Sequence, residues 1–230
     1  MPFFYWYDST YILVIIAFML SLFASFGVKT TFSRYQKVRS HNGLTGSMAA
    51  RKILDMNGLY HVKVERISGE LTDHFDPKAG VIRLSDSVHD SDSVAAIGVA
   101  AHEAGHAVQH ATKYVPITIR NSLVPIVNIS TSLSMPLFIF GLILEMTGLA
   151  YLGIILFSAA LLFQLVTLPV EFNASRRAIK ILDNGNMLYD DEVKGAKKVL
   201  RAAAMTYVAA TASTALQLLR LLLILRRNDD

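Results

Sequence analysis

Two histidines and a glutamate near the middle of the chain have the types and spacing of a catalytic metal site. The segment His102-Glu103-Ala104-Gly105-His106 follows the pattern H-E-x-x-H, and on a helix its two imidazoles lie one turn apart on the same face. Both rings can then reach one ion, while the carboxylate of Glu103, beside them, can take a proton from a metal-bound water. The chain contains no cysteine, so a transition metal must be held by histidine and carboxylate. The pattern therefore predicts a Zn²⁺ site with His102 and His106 as ligands and Glu103 as general base.

The third protein ligand of a catalytic zinc ion can come from either of two residues, His110 or Glu171. His110 lies on the same helix, but its position in the sequence places it about 80° away from His102 around the helix axis. The three rings would therefore converge poorly on one ion. Glu171 is favoured, since it directly follows an apolar segment, where a carboxylate is costly unless it is paired or coordinated. A salt bridge from Glu171 to Arg176 or Arg177 is the alternative.

The segment that carries the histidines, residues 29–120, has the composition of a soluble domain. Its hydrophobic periodicity predicts an amphipathic helix at residues 47–57, and a long helix without proline at about 94–114 contains the metal motif. Alternating and turn-forming residues between these helices predict a short antiparallel sheet, with strands at residues 60–67, 71–76 and 81–84. The expected unit is a small cytosolic α+β domain.

The basic residues form two blocks that alternate with apolar segments. All 22 Lys and Arg lie in residues 29–120 or 176–227, whereas residues 1–28 and 121–175 have none. Because short basic segments resist translocation, both blocks are expected in the cytoplasm. The net charge of +4 is thereby explained by membrane topology, and no nucleic-acid partner is predicted.

Four regions follow from this pattern in a mainly α, multi-pass protein of a bacterial inner membrane. Residues 1–28 are a retained N-terminal transmembrane anchor, residues 29–120 the cytosolic metallopeptidase domain, and residues 121–170 a transmembrane hairpin with its turn near Glu145. Residues 171–230 are a C-terminal helical region that carries the third zinc ligand. Its long helix is expected on or partly within the membrane, with a fourth span as the alternative. An interfacial aromatic belt is expected at Phe3, Tyr5, Trp6 and Tyr7.

Three separated motifs carry a resemblance to a known family. They are Leu-Thr-Asp-His-Phe-Asp-Pro at residues 71–77, Ser-Val-Ala-Ala at 93–96 leading into the histidine motif, and Glu-Phe-Asn-Ala-Ser-Arg-Arg at 171–177. In this order the chain resembles the YugP-type bacterial membrane zinc metallopeptidases and, more distantly, the HtpX-type proteases. The resemblance implies a zincin-like domain of gluzincin type, with Glu171 as third ligand and a site that faces the cytosol. The HtpX-type pattern has Asp where this chain has Ser175, which leaves open whether Ser175 or Asn173 orients a zinc-bound histidine.

The same resemblance implies a role for residues 71–77 as the strand beside the active-site helix, where an extended substrate could pair. Asp73, His74 and Phe75 are therefore candidate substrate-binding residues. Alternatively, Asp73, His74 and Asp76 belong to a second metal site, although Asp and His clustered at a turn are usually solvated turn formers. A peptidase also needs an oxyanion-stabilising group. The candidates are His74, Tyr114, Arg177 and Tyr207.

The expected function is that of a zinc endopeptidase acting on membrane or membrane-proximal proteins. Its expected partners are a protein or peptide substrate and the lipid bilayer, and a homo-oligomer or a membrane-protein partner stays open. The alternative is a catalytically silent zinc-binding scaffold or adaptor. A metal transporter is disfavoured, because no His, Lys or Arg lies in residues 122–175 to form a relay through the bilayer.

Overall fold

The structure, a computed structural model, describes residues 9–229 of the chain and the side chains of residues 9–227. The aromatic belt expected at residues 3–7 lies outside the described residues. In the described part the chain is mainly helical, with seven helices and three strands. In chain order they are α1 (Tyr11–Tyr35), α2 (Gly46–Met56), β1 (Lys63–Ile67), β2 (His74–Asp76), β3 (Val81–Ser85), α3 (Asp86–His89), α4 (Val94–Ala111), α5 (Val115–Ile143), α6 (Thr147–Asn184) and α7 (Asp190–Asp229).

Four helices, α1, α5, α6 and α7, are long and apolar enough to cross a membrane. α1 also leaves large apolar side chains uncovered by the rest of the protein: Phe18, Phe23 and Phe26 are 64%, 68% and 69% exposed. Such a band of large apolar side chains is rarely left to water, and lipid is the solvent that suits it. By length and composition α7 also qualifies, so these properties favour the fourth span over a helix lying on the membrane.

These helices extend well beyond the apolar segments from which they were predicted. The apolar runs end at about residues 28 and 170, yet α1 continues to Tyr35 and α6 to Asn184. α5 begins at Val115 because Pro116, in its first turn, has no helical hydrogen bond to lose. Hydropathy indicates which part of a helix can lie in lipid. It does not indicate where the backbone hydrogen bonds of the helix end. As a result, Glu171 lies on the same continuous helix as the apolar segment before it.

The chain divides into two compact units. The first, the apolar unit, contains the described parts of residues 1–24, 119–167 and 207–230. Its core is formed by Phe138 of α5, Ala150 and Ile154 of α6, and Leu221 and Leu225 of α7.

An arginine lies within the apolar part of α7. The guanidinium of Arg220 is 4.6 Å from the centre of the Tyr11 ring, a cation–π contact that offsets part of the cost of a charge among apolar side chains.

The second unit, the mixed unit, consists of Ser25–Thr118 and Leu168–Thr206. It contains the sheet, α2, α3 and α4, together with one end each of α1, α6 and α7. α4 is its central helix, and the Ser93 hydroxyl caps it by accepting a hydrogen bond from the Ala96 N–H at 3.2 Å. Most of its residues are buried, and many are alanine or glycine, which lets neighbouring helices approach closely.

The sheet is mixed, and the antiparallel sheet predicted from the sequence was wrong. β1 pairs parallel with β3, and β2 pairs antiparallel with the other side of β3. The prediction treated consecutive strands as hairpins. Instead, residues 68–73 carry the chain to the far edge of β3, with left-handed backbone at Gly69 and Leu71 (φ 111° and 56°). β2 therefore begins at His74, and the predicted strand start at residue 71 was wrong as well.

Two glycines of α4 face neighbouring helices at different distances. A Cβ added to Gly105 would come within 2.8 Å of the Ala174 carbonyl oxygen of α6, closer than real Cβ atoms approach backbone. A Cβ at Gly98 would meet the Ala196 methyl of α7 at 3.4 Å, an ordinary contact. Gly105 is thus required by the packing of α4 on α6, whereas Gly98 is not.

Replacing these glycines with alanine should have opposite effects on stability. Gly105→Ala is expected to lower the free energy of unfolding by about 1–3 kcal/mol, because it overpacks the α4–α6 contact. Gly98→Ala should be neutral or stabilising by up to about 1 kcal/mol, since alanine favours a helix interior over glycine. Denaturant unfolding of the two purified variants in detergent measures both values, and equal destabilisation would contradict the packing described here.

Candidate metal site

Helices α4 and α6 bring two histidines and one carboxylate to a single point of the mixed unit. The Nε2 atom of His102 is 3.1 Å from Nε2 of His106 and 3.2 Å from Oε2 of Glu171, and Nε2 of His106 is 3.5 Å from the same oxygen. These three residues form a group that could hold a metal ion. Among the described side chains, the ionic partners of Glu171 are these two histidines, so neither Arg176 nor Arg177 forms the alternative salt bridge.

The spacing of the three ligand atoms fits a tetrahedral zinc ion. With Zn–N and Zn–O bonds of about 2.0–2.1 Å, neighbouring ligands of a tetrahedron lie about 3.3 Å apart. The observed separations of 3.1, 3.2 and 3.5 Å bracket this value. His110, weighed as a third ligand, is exposed and instead contacts the ring of Phe75 at a centroid distance of 5.9 Å. The donor set of two imidazoles and one carboxylate is also the type that zinc prefers.

The electrostatic environment of the site favours a positive charge between the ligands. Burial by itself would lower the pKa of His106, but the hydrogen bond with Glu171 and the negative charges of Glu103 and Glu171 outweigh it. The pKa of His106 is therefore raised above its usual value. A carboxylate as buried as Glu171, whose side chain is 3% exposed, needs a compensating charge, which a divalent cation would provide.

His102 is oriented by a hydroxyl on α6. The Nδ1 atom of His102 lies 3.1 Å from the Ser175 hydroxyl oxygen, one helical turn beyond Glu171. The same face of α6 therefore supplies a candidate ligand and the group that fixes the ring of another. Of the two residues left open by the sequence, Ser175 contacts a histidine directly.

His106 is oriented by Gln109, a residue that the sequence analysis did not single out. Nδ1 of His106 is 2.9 Å from the side-chain oxygen of Gln109. The amide nitrogen of Gln109 donates to the Val170 carbonyl at 2.8 Å and to the side-chain oxygen of Asn173 at 3.0 Å. Gln109 has no exposed surface, and it links Asn173 to His106.

The direction of these hydrogen bonds fixes the tautomer of His106. The guanidinium of Arg177 can only donate, and its Nε donates to the Asn173 side-chain oxygen at 2.8 Å. That oxygen must accept, so the Gln109 amide presents its NH₂ to Asn173 and its oxygen to His106. Nδ1 of His106 then carries the proton, and its Nε2 lone pair points at the candidate metal position. The signal in the sequence was the position of Gln109, three residues after His106 on the same helix.

Asp73, the residue before β2, is hydrogen-bonded to the end of β3. Asp73 accepts hydrogen bonds from the Ser85 N–H at 2.8 Å and from the Ser85 hydroxyl. Burial raises the pKa of Asp73, the Ser85 hydrogen bonds oppose this, and the negative charge of Glu103 adds to it. Asp73 thus lies close enough to sense the charge of Glu103.

The second metal site weighed at residues 73–76 does not form within the described part of the chain. The ring of His74 is bound by the Thr72 carbonyl at 2.8 Å, and Asp76 pairs with Arg83 at 3.2 Å. Arg177, besides its bond to Asn173, has its guanidinium 5.9 Å from the ring centre of Tyr114.

The structure is that of a mainly helical protein with four helices long and apolar enough to cross a membrane and, among the described residues, a histidine–histidine–carboxylate group that could hold a metal ion. A family model described as "putative neutral zinc metallopeptidase" matches residues 10–226, and the chain belongs to this family. The chain is similar to the "putative membrane protease YugP" of Bacillus subtilis (strain 168), with 48% identity over 218 residues, 95% of this chain and 97% of the relative. No solved structure matches. The resemblance to the YugP-type family, found from the three sequence motifs, is thereby confirmed.

Replacing Gln109 should weaken metal binding although it is not a ligand. Gln109→Leu removes the acceptor at His106 Nδ1, and we expect a 10- to 100-fold loss of zinc affinity, about the effect of losing a hydrogen-bond partner of a ligand. Titration of the purified protein against a chromophoric chelator measures it. Asn173→Asp is the matched control, because it keeps an oxygen that accepts from Gln109 and Arg177. An affinity for zinc unchanged in Gln109→Leu would show that this amide does not orient His106.

Proposed function

We propose that this chain is a membrane-embedded zinc endopeptidase of gluzincin type that hydrolyses peptide bonds of membrane or membrane-proximal proteins. The observation that supports it is the convergence of His102, His106 and Glu171 at tetrahedral spacing, beside Glu103, in a chain of a zinc metallopeptidase family. Two of these ligands come from the H-E-x-x-H motif and the third from a later helix.

The proposed roles of the residues follow from their positions. His102, His106 and Glu171 hold the zinc ion, which when bound supplies Lewis acidity that activates water near neutral pH and polarises the scissile carbonyl. Glu103 accepts the proton of the attacking water and passes it to the leaving amine. Its carboxylate forms no hydrogen bond or ion pair with other described side chains, so its oxygens remain available to a proton.

Substrate binding is proposed along the open side of β2. β2 is an edge strand of the three-stranded sheet and lies against α4, so its outer backbone groups can pair with an extended peptide. In this arrangement Asp73, His74 and Phe75 are the substrate-binding candidates. Arg177 stays an oxyanion candidate, because its hydrogen bond to Asn173 uses the Nε–H and a guanidinium has further N–H donors.

A catalytically silent zinc-binding scaffold is the second candidate. Its supporting observation is that the described residues near the site form a satisfied hydrogen-bond network, which a binding protein would also need. The intact Glu103 favours the enzyme, because a site that only holds the metal has no use for a carboxylate beside the ligands.

Exchanging each carboxylate for an amide should separate catalysis from metal binding. Glu103→Gln is expected to retain bound zinc and to lose at least about 100-fold in cleavage rate, the contribution typical of general acid–base catalysis. Glu171→Gln should lose zinc itself, because an amide is a weaker ligand without charge. The measurements are metal content by mass spectrometry and cleavage of an unfolded membrane-protein substrate by the protein reconstituted in liposomes.

Two results would contradict this assignment. Undiminished cleavage by Glu103→Gln would remove the general base, and unchanged zinc stoichiometry in Glu171→Gln would remove the third ligand. Zinc bound by the native chain without any cleavage of such substrates would favour the scaffold.

The proposed location is a bacterial inner membrane, with the mixed unit facing the cytoplasm. Because the chain has no cysteine, single cysteine replacements give an unambiguous topology test. With an impermeant maleimide on intact cells, Glu145→Cys is expected to react and Lys78→Cys only after permeabilisation. Arg227→Cys distinguishes a spanning α7, which exposes it outside, from a helix that lies on the inner face. Reaction of Lys78→Cys in intact cells would reverse the proposed orientation.

A further inference from the structure

A cavity of about 360 Å³ in the mixed unit lies between the ends of α1 and α7. Three cations line it, Arg34 from α1 and Lys198 and Arg201 from α7, together with the hydroxyl-bearing Thr30 and Tyr35. The two helices pack closely beside it, since a Cβ on Gly195 of α7 would come within 2.8 Å of the Tyr35 ring. The cavity is therefore bordered by two helices in firm contact.

The charge of this cavity is not balanced by the protein. No carboxylate lines it, and among the side chains of residues 9–227 none forms a salt bridge with any of its three cations. Elsewhere in the same unit, four arginines pair with acids on the folded surface. These pairs are Arg39 with Asp92, Arg51 with Asp55, Arg66 with Asp86 and Asp90, and Arg83 with Glu65 and Asp76. Three like charges around one cavity repel each other, and an anion would relieve this repulsion.

The position of the cavity along both helices matches the boundary between lipid and water. On α1 the side chains of Phe26, Thr30 and Arg34 follow at intervals of four residues and so lie along one face, apolar at one end and cationic at the other. On α7 the face formed by Met205, Arg201 and Lys198 has the same order. Phe26 and Met205 are 69% and 47% exposed. Both helices thus offer a surface suited to a molecule with an anionic head and an apolar tail.

We propose that this cavity binds the phosphate of an anionic phospholipid headgroup, with an acyl chain lying along Phe26 and Met205. Arg34, Lys198 and Arg201 contact the phosphate, and the Thr30 and Tyr35 hydroxyls can donate to its oxygens. The proposal rests on the membrane placement of α1 and α7 proposed above, and it is independent of the peptidase chemistry. A zwitterionic choline headgroup is disfavoured, because its quaternary ammonium would meet the same three cations.

The test compares two triple variants of the full chain that lose the same charge. The cavity variant is Arg34→Gln, Lys198→Gln and Arg201→Gln, and the control is Lys37→Gln, Lys194→Gln and Lys197→Gln, whose residues lie on or next to the same helices outside the cavity lining. Each protein is purified in detergent with phosphatidylglycerol, phosphatidylcholine or inorganic phosphate, and bound ligand is measured by native mass spectrometry. A denaturant unfolding midpoint equal to that of the native chain shows that a variant is folded.

The native chain and the control are expected to retain phosphatidylglycerol in preference to phosphatidylcholine. The cavity variant should bind phosphatidylglycerol on the order of 100-fold more weakly, since each basic residue at a membrane surface contributes roughly a five-fold attraction. Equal losses in both triple variants would mean general surface charge and would overturn the proposal. Equal retention of phosphatidylcholine would do the same.

Displacement of phosphatidylglycerol by inorganic phosphate at millimolar concentration would reassign the cavity to a soluble anion and overturn the lipid assignment. If the cavity triple variant does not fold, the neighbours Lys198→Gln and Lys197→Gln provide the same comparison one charge at a time. Lys198→Gln is then expected to lose about five-fold in affinity for phosphatidylglycerol while Lys197→Gln loses none. Equal losses in this pair would also overturn the proposal.

Discussion

The close packing of α6 against α4 is the constraint on which the candidate site depends. Ala174 meets Gly105 with no room for a Cβ between them, and this contact sets the height and rotation of α6. Beside this contact α6 presents Glu171, one turn before Ala174, to both histidines, and Ser175, the residue after Ala174, to His102. Side-chain separations near 3 Å require the two helix axes to be fixed to within a fraction of an ångström, which buried small residues achieve better than long flexible ones.

The hydrogen-bond partners of the two histidines differ in kind, and this difference bears on how firmly each ring is held. His106 is oriented by a fully buried amide whose own orientation is imposed by Asn173, so its tautomer is determined by several bonds at once. His102 relies on the single hydroxyl of Ser175, which can donate or accept. Of the two rings, His102 is therefore held by fewer hydrogen bonds behind the candidate metal position.

The sequence predicted the grouping of the candidate metal ligands better than the structure around them. The spacing of His102 and His106 and the position of Glu171 after an apolar segment could be recognised because each is a local pattern. The parallel pairing of β1 with β3 could not, because it depends on the left-handed backbone at Leu71, which no local propensity favours. Gln109 was missed because a single glutamine on an alanine-rich helix looks like a solvated residue until α6 covers it.

The neutral character of Ser175 and Gln109 has a consequence for the charge of the centre. Where the HtpX-type pattern places a carboxylate behind a ligand, this chain has a hydroxyl, so no additional negative charge is passed to His102 through its ring. A divalent cation held by two neutral imidazoles and Glu171 would keep one formal positive charge, with the carboxylate of Glu103 beside it but not bound to it. With no further carboxylate behind His102, the proposed centre would polarise a carbonyl oxygen more strongly, at the expense of metal affinity. The tight positioning of the candidate ligands by α4 and α6 would offset part of that loss, because rigid, correctly spaced ligands need little reorganisation to bind an ion.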